Sequence, residues 1–336
     1  MYIDKKIYYF CNVNLQIKII SKSEELPDMK CANFFHSVEM FQIVEQTPRH
    51  KPYMALAIRE DGTIAAHMFA CTRTRGSWIP PYLFTQGRIY GEGEYDEDVN
   101  KDEVFALLLE AITKKFKRKL CLYVEFSDIS TKMFGYRHFR NNGYFPINWQ
   151  EVHNSLHSMP PEDRLDDKTK EQIKKAKDMG VITREAESEE EVHNFYKVLK
   201  NFYRMKIRRF LPPEKMYSSL NQSDNARIFI TLYKNKIIGG CACIYSGANA
   251  YLWYIATRRK TYSFVYPETI TMWNAIQSSY EHHYRHIYFL DVGLPYRSNQ
   301  FRKFILSFGG KPVTKYRWFR FSFPWINNFC SWFFNS

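Results

Sequence analysis

The residues able to do chemistry here fall into a few short stretches, most of them basic. Arg258-Arg259-Lys260 stands between the apolar run Ala250–Ala256 and a helix expected over Glu268–Tyr280, with Pro267 at its start. Three cations ahead of a helix N-terminus can hold a phosphate or another anion, with a solvated loop as the plain alternative. Lys200, Arg204, Lys206, Arg208 and Arg209 form a second basic run with Tyr203 and Phe210 interleaved. Arg204 and Arg208 share one face if the preceding helix continues, and phosphate binding or a charged helix end both account for the run. Asp291 follows the apolar strand Ile287–Leu290 and precedes Val292-Gly293. A carboxylate there either serves a site at a strand's C-terminal end or bonds loop amides.

Two other patterns are set aside. Arg88-Ile89-Tyr90-Gly91-Glu92-Gly93 spells R-x-x-G-x-G, a spacing whose glycines can turn amides toward a pyrophosphate. The next helix starts only near Asn100, and Glu92, Glu94, Asp96, Glu97 and Asp98 fill the gap with repelling charge, so the match reads as a decoy. His153/His157 and His282/His286 have the i, i+4 spacing of helical zinc ligands, but neither pair has a nearby Cys or a recognisable carboxylate ligand set. No metal is expected. Neither G-x-S-x-G nor a Walker loop occurs.

The elements that would position these residues mix strands and helices. Tyr53–Ala57 and Ile64–Ala70 flank the turn Glu60-Asp61-Gly62, a hairpin signal. Asp102–Phe116 has a broad apolar face at helical spacing, and Cys121–Phe126 reads as a buried strand. The second half repeats the order: hairpin strands Arg227–Leu232 and Ile237–Tyr245, strand Ala250–Ala256, helix from Glu268, strand Ile287–Leu290. The matched spacing points to duplicated α/β units. Between them a helix is expected over Glu162–Met179, ending at Gly180, then a capping box at Ser188–Glu191 opening a further helix.

Composition bounds the classes. The 336 residues are 45% hydrophobic, 25% charged and 17% aromatic, which excludes disordered, collagenous and low-complexity chains. No apolar stretch reaches membrane-spanning length and no secretory signal is visible, so a cytoplasmic protein is expected. Seven scattered cysteines without a C-x-x-C pair fit a reducing compartment. Residues 1–168 balance 22 Lys+Arg against 23 Asp+Glu; the remaining 26 and 12 put the entire basic excess in the second half. Anionic partners are expected there: phosphates, nucleic acid or a membrane surface.

The second half also resembles a known family. IKKAKDMGV (173–181), FYKVLKNFYR (195–204), ARIFITLYKNKIIGG (226–240), AYLWYIA (250–256), YPETITMWNAI (266–276), FLDVG (289–293) and FILSFGGK (304–311) follow the order found in the Fem family of peptidoglycan interpeptide-bridge aminoacyltransferases, within the GNAT-like acyltransferase superfamily. The resemblance implies an α/β (α+β) chain of two tandem GNAT-like domains, each a mixed, mostly antiparallel sheet flanked by helices, with a cleft between them. Residues 1–155 would be the first domain, 156–320 the second with its connecting helices, and 321–336 an aromatic tail.

The implied activity moves an aminoacyl group from aminoacyl-tRNA to an amine of a nucleotide- or lipid-linked cell-wall precursor, without a cofactor. The chemistry is amine attack on an activated ester, helped by positioning and by stabilisation of negative charge. Anion binding would fall to Arg204, Arg208, Arg258, Arg259 and Lys260. The acceptor cleft and chemistry would involve Asp291, Arg297, Arg302 and Lys303, with Tyr254 as a hydroxyl donor. The family often has Phe-Lys four residues before Phe-Gly, whereas this chain has Phe304-Ile305 before Phe308-Gly309; Lys303 and Ile305 share a side if the segment is extended.

Two alternatives stay open: a GNAT N-acetyltransferase taking acetyl-CoA to an amino-sugar or polysaccharide precursor, and a non-catalytic RNA-binding GNAT-like protein. The aromatic tail, following Lys315, Arg317 and Arg320, would either pack on the protein or another subunit, or touch the inner face of the membrane.

Overall fold

The computed structural model describes residues 7–8, 15–76, 82–204, 210–290 and 292–335. Two compact units emerge: Met1–Trp149 with Lys315–Ser336, and Gln150–Thr314. In chain order the first passage contains β1 (Ile7–Tyr8), β2 (Leu15–Ile20), α1 (Val38–Gln46), β3 (His50–Ile58), β4 (Ile64–Gly76), β5 (Leu83–Tyr90), β6 (Glu94–Tyr95), α2 (Lys101–Arg118), β7 (Cys121–Ser127) and α3 (Tyr136–Asn141). Then come β8 (Phe145–Ser155), α4 (Asp167–Asp178), β9 (Ile182–Glu185), α5 (Glu189–Tyr203), α6 (Glu214–Asn221), β10 (Ala226–Tyr233), β11 (Lys236–Ser246) and β12 (Asn249–Thr257). The chain ends with α7 (Pro267–Glu281), β13 (His286–Phe289), α8 (Gln300–Leu306), β14 (Lys311–Phe321) and α9 (Pro324–Asn335).

Each unit is built on one plan. In the first, β2, β3, β4 and β5 form an antiparallel run, β7 lies parallel to β5, and residues 318–321 of β14 pair antiparallel with β7. In the second, β9, β10, β11 and β12 form the antiparallel run, β13 lies parallel to β12, and residues 152–155 of β8 pair antiparallel with β13. A helix supplies each parallel crossover: α2 between β5 and β7, α7 between β12 and β13. Parallel neighbours need such a crossover because a tight turn only reverses the chain. α2 and α7 begin 166 residues apart, matching the repeat spacing in the sequence. Sequence patterning passed over β5, the first unit's counterpart of β12; its apolar Leu83 and Phe84 are not buried, and Gln86, Gly87 and Arg88 break the apolar run in its buried half.

Local chemistry explains the crossover helices. Asn100 caps α2 by accepting from the Asp102 and Glu103 amides at 3.1 and 3.4 Å, and Lys115, Lys117 and Arg118 close its last turn. Its face of Val104, Phe105, Leu108, Leu109, Ile112 and Phe116 is buried in the first core, which also takes Trp318, stacked on Phe139 with centroids 4.5 Å apart. In the second unit Ile270, Met272, Trp273, Ala275 and Ile276 of α7 pack against Cys241, Leu252, Ile255, Ile287 and Phe289.

Three segments differ from the sequence reading. The helix expected over 162–179 is a 3₁₀ turn, Pro161–Arg164, followed by α4, because the Asp166 carboxylate captures the Thr169 amide at 2.7 Å and restarts the helix there. The segment around Lys303 is helical rather than extended: Asn299 caps α8. Lys315–Ser336 belong to the first unit, where the sequence reading put residues up to 320 in the second domain and the rest in a tail, because β14 completes the first unit's sheet beside β7.

Candidate active site

β12 and β13 are the parallel pair of the second unit. Their parallel register runs from Asn249↔His286 to Leu252↔Phe289, while β12 continues to Thr257. On its other edge β12 carries a bulge at Trp253, between the pairs Cys243↔Leu252 and Ala242↔Tyr254. A bulge adds local bend and twist, and C-terminal ends of parallel strands are where α/β sheets open to ligands.

Arg258, Arg259 and Lys260 lie in the loop leaving this end of β12, and all three are exposed. Arg259 Nη1 is 3.5 Å from Glu268 Oε2 in the first turn of α7. Four of the loop's amides are bonded within it: Thr261 and Tyr262 donate to the Arg258 carbonyl, Val265 to Tyr262, and Tyr266 to Ser263. Pro267 opens α7 and has no N–H, while Tyr266 before it adopts a left-handed φ of 47°. A left-handed tyrosine costs roughly 1–2 kcal/mol, so the packing around it holds a strained junction at the loop–helix boundary. The three side chains would supply the positive charge for any anion held here.

In the first unit the R-x-x-G-x-G stretch is spent on internal structure. Arg88 is buried, ion-pairs with Glu125, donates to Ser127 Oγ at 2.8 Å and covers the Tyr90 ring at 4.3 Å. The Gly91 amide donates to the Ser127 carbonyl at 2.7 Å, and the Gly93 amide points at His36 Nε2 at 3.2 Å. Glu92 accepts from Ser130 and pairs with Lys101. Both glycines need their positive φ, 78° and 95°, for these turns.

The same unit holds a buried ionic network that sequence spacing did not reveal. Glu125 of β7 meets Arg88 of β5, Arg317 of β14 at 3.2 Å and the Gln86 amide at 3.1 Å; Gln86 Oε1 in turn accepts from Arg73 at 2.8 Å. These partners come from four strands, so no local window could join them.

The other expected site residues divide as follows. Arg204 sits exposed at the C-cap of α5; Arg208 and Asp291 lie outside the described residues. Tyr254 is buried and its hydroxyl donates to the Phe210 carbonyl at 2.7 Å, which corrects its role as a free hydroxyl donor. Arg302 donates to the carbonyls of Leu294, Arg297 and Pro295 at 2.8, 2.7 and 3.4 Å, so its guanidinium staples its own loop instead of standing ready for a substrate. Arg297 is exposed. Lys303 is exposed while Ile305 is fully buried, as residues two apart on a helix diverge; the shared side that an extended segment would give does not exist.

The histidines gather differently from their spacing. His153 of β8, His157 beyond its end and His286 of β13 bring their rings together, with centroids 5.6 and 5.1 Å from His286. Burial, then His153 and His157, push His286 below the usual imidazole range.

Residues 165–298 match the family described as an acetyltransferase (GNAT) domain. No curated protein matches the sequence. Among solved structures the chain is similar to FemX (11% identity, 92% of this chain and 99% of that one, TM-score 0.58). It is similar to L-PGS from Bacillus licheniformis (12% identity, 92% and 100%, TM-score 0.58). A tandem GNAT protein from the clavulanic acid biosynthesis pathway also matches (9% identity, 92% and 99%, TM-score 0.57). The GNAT-domain match falls within the second unit, and this chain shares its fold with these solved structures. Its architecture is the one shared by FemX and the tandem GNAT protein, a mixed, mostly antiparallel α/β fold.

Proposed function

We propose that this protein is a Fem-like acyltransferase that moves an aminoacyl group from aminoacyl-tRNA to an amine of a cell-wall precursor. The observation that carries this reading is the state of the two amide rows where an acyl-CoA pyrophosphate would be cradled. In the first unit the Gly91 and Gly93 amides are engaged inside the fold; ahead of α7 the Thr261, Tyr262, Val265 and Tyr266 amides are bonded within the loop and Pro267 has no N–H. Phosphates at β12 would meet exposed Arg258, Arg259 and Lys260 side chains, the way proteins grip a nucleic-acid backbone. The basic second half and the fold shared with FemX support the same reading.

In this reading the acceptor amine attacks the ester carbonyl, the tetrahedral oxyanion is stabilised by nearby cations and dipoles, and the tRNA hydroxyl leaves. Asp291 and Lys303 remain the candidate groups beside the reacting atoms. Lys303 is exposed on α8 and able to reach an anion.

A lipid-linked acceptor is supported by α9. Trp325, Phe329, Trp332 and Phe333 are exposed along one face of it, while Phe334 stacks on Phe145 with centroids 6.3 Å apart. One cation reaches this helix, Arg140 bonding Ser331 Oγ at 3.5 Å, and Lys315, Arg317 and Arg320 precede it in the chain. An exposed aromatic face on such a helix suits an anionic bilayer interface. Among the described residues no helix is long and apolar enough to cross a membrane.

A second reading, acetyl transfer from acetyl-CoA, is favoured by the description of the matching family. The deciding experiment incubates the protein with labelled aminoacyl-tRNAs and a precursor carrying a free peptide amine. RNase-sensitive transfer of label to the peptide is expected. No transfer from any aminoacyl-tRNA, with free CoA released from acetyl-CoA and an amino-sugar, would overturn the proposal.

A further inference from the structure

The first unit carries a second cluster that acyl transfer does not use. Cys31, His67 and Glu94 each place one donor atom so that all three lie within 4.8 Å of one another. His67 and Glu94 are directly opposite on the antiparallel pair β4–β6, with Nε2 3.4 Å from Oε1. Cys31 comes from the loop before α1. That loop is fastened to the same carboxylate, because the Ala32 and Asn33 amides donate to Glu94 Oε2 and Oε1 at 2.8 and 3.0 Å. His67 is 4% exposed and its Nε2 makes no hydrogen bond, so a buried imidazole nitrogen faces the thiol and the carboxylate. His36 beside them is not a further ligand: both its ring nitrogens meet backbone amides, of Phe69 at 3.0 Å and Gly93 at 3.2 Å.

We propose that Cys31, His67 and Glu94 form a binding site for a divalent metal of the zinc class. One thiolate, one imidazole and one carboxylate are the ligand types zinc takes, and three protein ligands leave a fourth position for water. The thiolate excludes magnesium and calcium, which prefer oxygen ligands. Thiolate and carboxylate together balance the charge of a divalent ion, removing the cost of burying a lone cation. The two Glu94 hydrogen bonds from the loop act as the outer support that orients a ligating carboxylate. His67 and Glu94 also line a cavity of about 490 Å³, which gives an ion a route in. Bound metal would join the 26–33 loop to the β4–β6 edge and displace the His67 and Cys31 protons.

The test uses the full chain and Co²⁺ alone as probe. One equivalent should bind with a near-ultraviolet thiolate-to-cobalt charge-transfer band. Cys31→Ser should abolish the band and weaken binding roughly tenfold or more. Cys330→Ser, at the other partly exposed cysteine among the described residues, should change neither. On the unaltered protein, Zn²⁺ should slow alkylation of Cys31 by iodoacetamide, read by mass spectrometry, and EDTA should restore the rate. Absence of the band, a band that survives Cys31→Ser, or Cys31 alkylation that is the same with and without Zn²⁺ would each overturn the proposal.

Discussion

The side chain of Asn299 donates to the Val292 carbonyl at 2.7 Å while its oxygen accepts from the Phe301 and Arg302 amides at 2.9 and 3.2 Å. One residue therefore ties the chain leaving β13 to the start of α8, the helix that carries Lys303. Gly293 next to it has φ 93°, and a Cβ there would stand 2.9 Å from the Asn299 amide nitrogen. Asn299→Ala should lose the cap, about 1 kcal/mol, and leave the Val292 carbonyl unmet at a further cost of about 1–3 kcal/mol. Asn299→Asp keeps the cap but not the donor and should fall between. Urea denaturation with unchanged slope checks the order; equal stability of all three would break this account.

Glu125 is shared by two buried arginines, Arg88 and Arg317. Removing its charge strands both guanidinium groups in the interior, so Glu125→Gln should destabilise the protein by about 3–5 kcal/mol. A double-mutant cycle with Arg317→Met should recover part of that loss. Additive effects would mean the pairs are not coupled.

The cations after β12 should act in binding and not in folding. Changing Arg258, Arg259 and Lys260 together to Ala should leave the thermal midpoint nearly unchanged, since exposed substitutions stay within roughly 0.5 kcal/mol each. The log–log salt slope of tRNA binding should drop by about two to three if all three touch phosphates. An unaltered slope measured by filter binding would remove this loop from the tRNA site.

Two histidines set opposite limbs of the pH–stability profile. Burial first, then His67, lowers His36 to about 3, so below the unfolded value of 6.5 only the unfolded chain takes up this proton. Stability then falls as pH drops from 6.5, by at most about 1.4 kcal/mol per unit. His67 is raised to about 9, so its contribution is complete below 6.5 and lost as pH rises through 9. Metal-free His67→Gln should flatten the alkaline limb and leave the acid limb in place, as read by denaturant midpoints across pH.

Trp325 and Trp332 are 72% and 68% exposed, so their replacement by Ser should not disturb the fold. Flotation with vesicles containing phosphatidylglycerol should carry the parent protein and leave the double variant behind. Equal flotation would assign the aromatic face to something other than a bilayer.

Much of the fold was legible because local patterns and tertiary demands agree. The apolar faces of α2 and α7, the hairpin turns, Pro267 at a helix start and Gly180 after a helix each act within one or two turns of chain, where spacing alone carries the signal. The basic excess of the second half and the exposed Arg258-Arg259-Lys260 loop were likewise readable, since charge and a strand–helix junction are local properties. What the sequence could not carry is which distant partner claims a side chain. The Tyr254 hydroxyl goes to Phe210, the Arg302 guanidinium to three carbonyls of its loop, and Arg88 to Glu125 across parallel strands. Tyr254 and Arg302 look available in a linear reading and are committed in the folded chain, as Arg88 is, because a buried polar group must find a partner wherever the topology places one. The same topology collects Cys31, His67 and Glu94 from separate segments, and only the pairing of β4 with β6 and the return of the loop before α1 make them neighbours.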